Sequence, residues 1–276
     1  MIKDTFFSMP RFVNLCRKSL VENWKANVLR FVMMYGLMAI MLLWYGYLVY
    51  NYTNTLEVDR EVGHFTLLLF LWCLWGFGCI SASFTMEKMK TKTNRISMLM
   101  TPATPFEKYF SRWIISTALF LVAFLIAFKM ADYTRVVVYS LIYPHLEGIA
   151  PVSSSYLVGA KDNYQIIFDT SDVLYLMLLL YFFVQSCFVL GSTIWPKNAL
   201  VKTFVAGAAI VAIYALLKIG MSYLLSDSNF YYYTSDQYID DELKTHIWQA
   251  VLFFFALFNW TLAYFRFKES EIINRM

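Results

Sequence analysis

The side chains that most often carry catalysis or metal binding are sparse and scattered in this sequence. His64, His145 and His246 stand far apart, at the edges of apolar runs or in loops. They form no HExxH motif, no zinc-ligand spacing and no pairing with a nucleophilic serine. No GxxxxGK[ST] occurs, so the chain brings no phosphate-cradling loop of its own. Cys16, Cys73, Cys79 and Cys187 read as small apolar packing residues rather than a disulfide framework. The expectation is a chain that is not an enzyme, with no catalytic or metal residues and no cofactor bound by this chain.

The elements that hold these residues explain the absence. Hydrophobic residues make up 59% of the 276 and charged residues 15%, with a mean hydropathy of +0.53. Soluble domains sit near 45–50% apolar and about 25% charged, so the balance is that of a membrane protein. Six runs reach the length of about 20 apolar residues that crosses a bilayer as a helix. They are Asn27 to Tyr50, His64 to Phe84, Tyr109 to Met130, Val173 to Trp195, Val201 to Leu225 and Ile247 to Phe265. None alternates with period two, which excludes a barrel reading. The fold class expected is an all-α integral membrane protein with six transmembrane helices.

Charge orients the bundle. With the N-terminus inside, 17 of the 23 Lys and Arg fall on the inner side. They sit in the N-terminal segment, the Thr85–Arg112 stretch, the turn near Pro196 and the tail. Only Arg60, Arg135, Lys161 and Lys244 fall in outer loops. This bias predicts both termini in the cytoplasm, N-in/C-in. Lys129 and Lys218 lie near the outer ends of spans, where a lysine can snorkel to water. No Asp or Glu is expected inside any span, so the usual machinery of ion-coupled transport is missing.

The chain then divides into a cytoplasmic N-terminal segment, 1–26, a six-span domain, 27–266, and a cytoplasmic tail, 267–276. Within 1–26, Pro10 to Lys25 predicts an interfacial amphipathic helix. Phe12, Cys16, Leu20 and Trp24 share one arc, and Arg11, Lys18 and Lys25 another, facing anionic lipid or a partner. The long outer loop, 131–172, contains strand-like pieces at Arg135–Tyr139 and Tyr164–Phe168. The aromatic cluster Asn229–Tyr233 suits a membrane-interface belt. Gly76 and Gly78 in the second run, and Gly207, Ala208 and Ala212 in the fifth, allow close helix packing within the fold or between two copies.

The most informative segment is RISMLMTPATPFEKYFSR, Arg95 to Arg112, in the cytoplasmic loop 85–108 and the start of the third run. Thr104-Pro105-Phe106-Glu107 has the order of a capping box, with proline at the first helical position. Ile96, Leu99 and Met100 give the preceding residues an apolar side. A capped, basic, compact loop suits docking to another protein.

The segment LMTPATPFEKYFSRW, between spans and behind a basic amphipathic N-terminal helix, together with the basic tail YFRFKESEI, resembles ABC-2-type transporter permease subunits of bacteria. In particular TPATPFEKYFSRW is similar to the LPAS-type segment with a following E-K-x-x-S-R found in many such permeases. Asp227 to Thr245 is too polar for the re-entrant helical pair that several members carry before the last span.

The resemblance implies a multi-pass permease of the bacterial cytoplasmic (inner) membrane. It implies export driven by ATP and Mg on a separate ABC ATP-binding subunit. Contact with that subunit would fall on Ile96, Leu99, Thr104, Phe106, Glu107 and Lys108, with the 85–112 loop as the coupling element. Expected partners are the ATPase, a second copy in a homodimer or a related permease, and membrane lipid, with no nucleic acid. The alternative reading is a non-transporting scaffold or sensor with a ligand-binding outer loop and a cytoplasmic partner site.

Overall fold

In the computed structural model each of the six apolar runs is a long helix. The structure describes residues 6–52, 58–144, 149–153, 157–158, 167–168, 170–225 and 241–272. α1 is Met9–Glu22, α2 Trp24–Tyr52, α3 Val58–Ser83 and α4 Lys92–Leu99. α5, Pro105–Ile114, continues through a π-helical turn, Ile115–Leu119, into α6, Phe120–Ile142. α7 is Ser171–Ile194, α8 Ala199–Leu225 and α9 Asp241–Ile272. α2, α3, α5–α6, α7, α8 and α9 are each long and apolar enough to cross a membrane. A bilayer core offers no water to backbone N–H and C=O groups, so a run that crosses it must pair them internally, as a helix does.

The bundle packs around three aromatic-rich clusters. The central one gathers Met38 and Leu42 of α2, Leu69 and Leu74 of α3, Phe124 and Ala127 of α6, and Tyr181 of α7. At the end carrying both chain termini, Met86, Met98, Tyr109, Val189, Ala263 and Phe267 close a second cluster. At the opposite end Val49, Tyr50, Val62 and Tyr139 form the third. Polar residues inside spans are mostly satisfied by their own helices: Thr66, Ser83 and Ser192 donate to carbonyls three or four residues back.

The π-helical turn is visible as a skip in the inward-facing positions. Glu107, Lys108 and Ser111 are buried, then Ser116, then Phe120, Phe124, Ala127, Ala131, Arg135 and Tyr139. From Glu107 to Ser111, and again from Ser116 to Tyr139, the stripe advances by three or four, and one step of five, from Ser111 to Ser116, separates the two stretches. That single extra residue keeps α5 and α6 turned toward the same core.

Several expectations are corrected. The third span does not end at Met130: α6 runs to Ile142, so the outer loop 131–172 begins as helix, and Arg135–Tyr139 is helical rather than strand-like. Its continuation is possible because two charges in it neutralise each other. Arg135 Nε and Nη2 donate to Asp132 Oδ1 at 3.0 and 2.8 Å, with Asp132 0% and Arg135 1% exposed. Asp132 therefore lies inside the third spanning segment, against the expectation that no acid would.

Its other oxygen accepts from Val152 N–H at 2.8 Å, while Arg135 reaches Ala150 O and Tyr50 Oη. Lys129, rather than simply snorkelling, donates to Val152 O at 2.9 Å. The pair thus pins residues 150–152 over this end of the bundle. The tail expected at 267–276 also starts as helix, since α9 runs to Ile272. Residues Tyr164–Ile166 and the Asn229–Tyr233 cluster lie outside the described residues.

The small-residue positions separate cleanly. A Cβ on Gly78 would lie 2.6 Å from the buried Tyr181 ring, so α3 and α7 touch there. Gly76 and Gly207 have open space around them, and Ala208 and Ala212 are exposed on α8. Among the described residues, those four take no part in packing within the chain. Gly46 against Tyr139 and Gly191 against Thr203 make the other close approaches, and neither was singled out in the sequence. Gly78→Val is expected to lower the thermal unfolding midpoint of the detergent-solubilised protein by the equivalent of about 1–3 kcal/mol, the usual cost of overpacking. Gly76→Val is expected to leave the midpoint unchanged.

Candidate functional site: the junction around Glu107

The capping box anticipated from TPFE is present. Thr104 Oγ1 accepts from Glu107 N–H at 3.3 Å and Glu107 Oε2 accepts from Thr104 N–H at 3.1 Å. The same glutamate does more than cap α5. Its Oε1 accepts from Ser8 N–H at 2.7 Å and from Arg11 Nη2 at 3.0 Å, across almost a hundred residues of chain. Thr104 Oγ1 in turn donates to Phe6 O at 3.0 Å. One carboxylate thereby satisfies orphan donors at two helix starts and an arginine, which makes its burial affordable.

Aromatic rings continue the junction into the bundle. Phe6 stacks on Phe106 at 5.1 Å, Phe106 on Phe110 at 5.4 Å and Phe110 on Trp113 at 5.6 Å. Phe12 of α1 meets Phe110 at 5.5 Å. Trp113 packs edge-on against Trp260, whose carbonyl accepts from Tyr109 Oη at 2.9 Å. α1, α5 and the C-terminal half of α9 are therefore one unit at this end of the bundle.

The residues expected to touch a partner fall into two groups. Glu107 is 0% and Lys108 6% exposed, so neither presents a surface; both face inward because burial of α5 is strongest on that side. Phe106 is half-buried among Phe6, Phe7, Phe110 and Tyr264. Thr104 is half-buried and committed to its cap. Ile96, by contrast, is 48% and neighbouring Met100 79% exposed. The Leu99 side chain lies outside the described residues. α4 is anchored by the buried Met98 and by Arg95 Nη2 donating to Met89 O at 3.2 Å. Its start is capped by Thr91, which accepts from Asn94 N–H.

The interfacial helix is also reshaped. The chain breaks at Asn23, so Trp24 and Lys25 belong to α2, both exposed. Phe12 turns onto α5 rather than into lipid, with Cys16 and Leu20 half-buried behind it. Arg11 and Lys18 do not form a free basic face: Arg11 serves Glu107, and Lys18 lies 3.7 Å from Glu22. Glu22 also takes a hydrogen bond from Lys88 next to α3.

Two polar groupings were not legible from spacing. Between the helices, Ser81 Oγ donates to Ser116 O at 2.9 Å, and Gln185 Nε2 approaches the same carbonyl at 3.5 Å. Asn259 Nδ2 donates to Ser186 Oγ at 3.0 Å. Nearby, Thr117 Oγ1, Tyr181 Oη and Gln185 Oε1 are buried without a partner among the described residues. At the far end Asp172, Glu242 and His246 bring one ligand atom each to within 4.8 Å of one another. Gln249 Oε1 lies 3.2 Å from His246 Nδ1, and Gln249 Nε2 donates to Asp172 O. Such a set fits a divalent ion by donor type, with Glu242 and His246 exposed to solvent. Residues more than 70 positions apart meet here, which no local ligand spacing reveals.

These features define a multi-pass helical membrane protein with a structured loop between its second and third spans. No protein-family model, curated protein or solved structure matches the chain.

Two predictions test the junction. Glu107→Ala leaves Arg11 and two backbone donors without their acceptor, and is expected to destabilise the protein by about 3 kcal/mol, read as thermal unfolding in detergent. The Lys88 hydrogen bond holds the Glu22 carboxyl below the ordinary glutamate value of about 4.3. A depressed carboxylate stabilises the folded state above that value and loses the contribution as pH falls through its folded pKa. The protection of α1 amides, relative to their intrinsic exchange rate at each pH, is therefore expected to fall on acidification below about pH 4, with Glu22→Gln removing that pH-dependent step.

Proposed function

We propose that this chain is the membrane-spanning permease subunit of an ATP-driven exporter of ABC-2 type. The observation that carries the reading is the loop between the second and third spans: two capped helices, braced on α1 and α9, at the end of the bundle bearing both termini. A loop that only joined two spans would not need a buried carboxylate, an aromatic stack and a separate exposed helix. An element that receives force from a partner needs all three, because a soft loop would absorb the displacement instead of passing it to the spans.

In this reading both termini and the loop are cytoplasmic, following the excess of Lys and Arg on that side. ATP and Mg are bound by a separate subunit, and the protein lies in the bacterial inner membrane. The docking face is α4, whose exposed Ile96 and Met100 offer apolar contacts amid Lys92 and Asn94. Glu107, Lys108 and Phe106 act behind it as the rigid mount. Displacement of α4 passes through α5 and the π-helical turn to α6, and through Tyr109 and Trp260 to α9. A second permease, identical or related, completes the translocation path.

The test is copurification from the native membrane in mild detergent through a tag on the C-terminus. A stoichiometric protein with a GxxxxGK[ST] loop is expected, and Ile96→Asp with Met100→Asp is expected to weaken its retention at least about tenfold, with the permease itself still folded. A permease that comes through alone, or with a non-nucleotide regulator, would overturn the exporter reading and favour the scaffold or sensor.

A further inference from the structure

Beneath the junction lies a cavity of about 600 Å³, bounded by α1, α2, the end of α3, α4, and the α5–α6 helix. Its size is that of a pocket for a small organic ligand. Its lining is mixed. Three cations, Arg30, Lys88 and Arg112, and two carboxylates, Glu22 and Glu87, border it. Phe31, Met34, Leu119, Phe120 and Ala123 make an apolar wall. Ser81 and Ser116, already bonded to each other's chain, form a polar edge.

These charges do not cancel. Arg30 is committed to Glu87 at 2.8 Å and lies over the Phe84 ring. Lys88 is committed to Glu22. Arg112 has no carboxylate at ion-pair distance among the described residues. Its one hydrogen bond, from Nη1 to Thr85 O, is 3.4 Å long. A guanidinium half-buried beside an apolar cleft, with one long hydrogen bond among the described residues, matches an anion with a hydrocarbon tail. Neither an ion nor a neutral lipid would satisfy both halves of the lining.

We propose that this cavity binds one anionic amphiphile, a phosphate headgroup carrying acyl chains. The phosphate sits on Arg112, and a chain lies along Phe31, Met34, Leu119 and Phe120. The proposal goes beyond the exporter reading and does not depend on it, since binding needs neither the partner nor ATP. A phospholipid bound there would fill the gap between α2 and the α5–α6 helix and hold the junction above it in one arrangement. It would act as a structural ligand placed under the proposed docking helix.

The experiment uses the full chain, delipidated in detergent and titrated with dioleoylphosphatidylglycerol, dioleoylphosphatidylcholine or inorganic phosphate. Bound lipid is counted by native mass spectrometry, and thermal shift reads its effect. One phosphatidylglycerol is expected to be retained, with about tenfold preference over phosphatidylcholine, whose phosphate is the same but whose choline adds a cation to a lining that already carries three cations against two carboxylates. Arg112→Gln is expected to abolish the preference, whereas Lys25→Gln, outside the cavity, leaves it intact. Equal losses in the two variants would mean diffuse surface attraction and overturn the site. Inorganic phosphate stabilising as well as the lipid would overturn the amphiphile. Because Arg112→Gln also removes a contact to Thr85, Ala123→Trp supplies an independent reading: it fills the apolar arm with Arg112 in place. Wild-type lipid retention in that variant overturns the proposal, and loss of the bound lipid supports it.

Discussion

A buried carboxylate at the mouth of a membrane bundle is tolerable only if its lone pairs are taken up, and Glu107 meets that condition by gathering Ser8, Arg11 and Thr104 around itself. Much of the neighbouring arrangement follows from that requirement. The N-terminal segment must fold back so that its amide and arginine can reach the oxygens. α1 then lies on α5, which brings Phe12 onto Phe110, and Phe6 onto Phe106. The aromatic column reaches Trp260 of the last helix and ties the first and last parts of the chain to the loop between the second and third spans. Without a charge at position 107 the N-terminal segment would be held on α5 only by the Thr104–Phe6 hydrogen bond and by aromatic contacts.

The opposite end of the bundle uses the same device with different parts. Asp132 and Arg135, one turn apart, neutralise each other and capture backbone groups at Ala150 and Val152. A buried pair of this kind contributes little net stability compared with apolar packing, but removing either partner is costly. Both ends are thus fixed by charge in a protein whose middle is held by shape. The middle contains Tyr181, Gln185 and Thr117, each with a buried polar atom that has no partner among the described residues, next to the π-helical turn.

Length and apolarity revealed the six spans because a hydrocarbon layer leaves the backbone no alternative to a helix. The capping box was equally legible, being a local pattern with a local cause. Hydropathy failed at α6 because Asp132 ended the apolar run, although its spacing from Arg135 is that of neighbours on one helical face. Gly76 and Gly78 look alike as letters, but two residues along a helix differ by about 200°, and only Gly78 meets Tyr181. The inward turn of Glu107 and Lys108 was hidden for a different reason. Two of Glu107's partners, Ser8 and Arg11, come from far along the chain, and no window around TPFE contains them.

The π-helical turn has a consequence for how this protein tolerates change. Its loosened turn offers the carbonyl of Ser116 to Ser81 on α3 and to Gln185 on α7. The acceptor joining three spanning segments is therefore a main-chain atom. Replacement of the Ser116 side chain cannot delete it, and neighbours can vary in type while that cross-link persists. Vulnerability shifts from residue identity to residue number. Loss or gain of one position between Ser111 and Phe120 would straighten or further loosen the turn, withdraw the carbonyl, and rotate one half of a 38-residue span against the other.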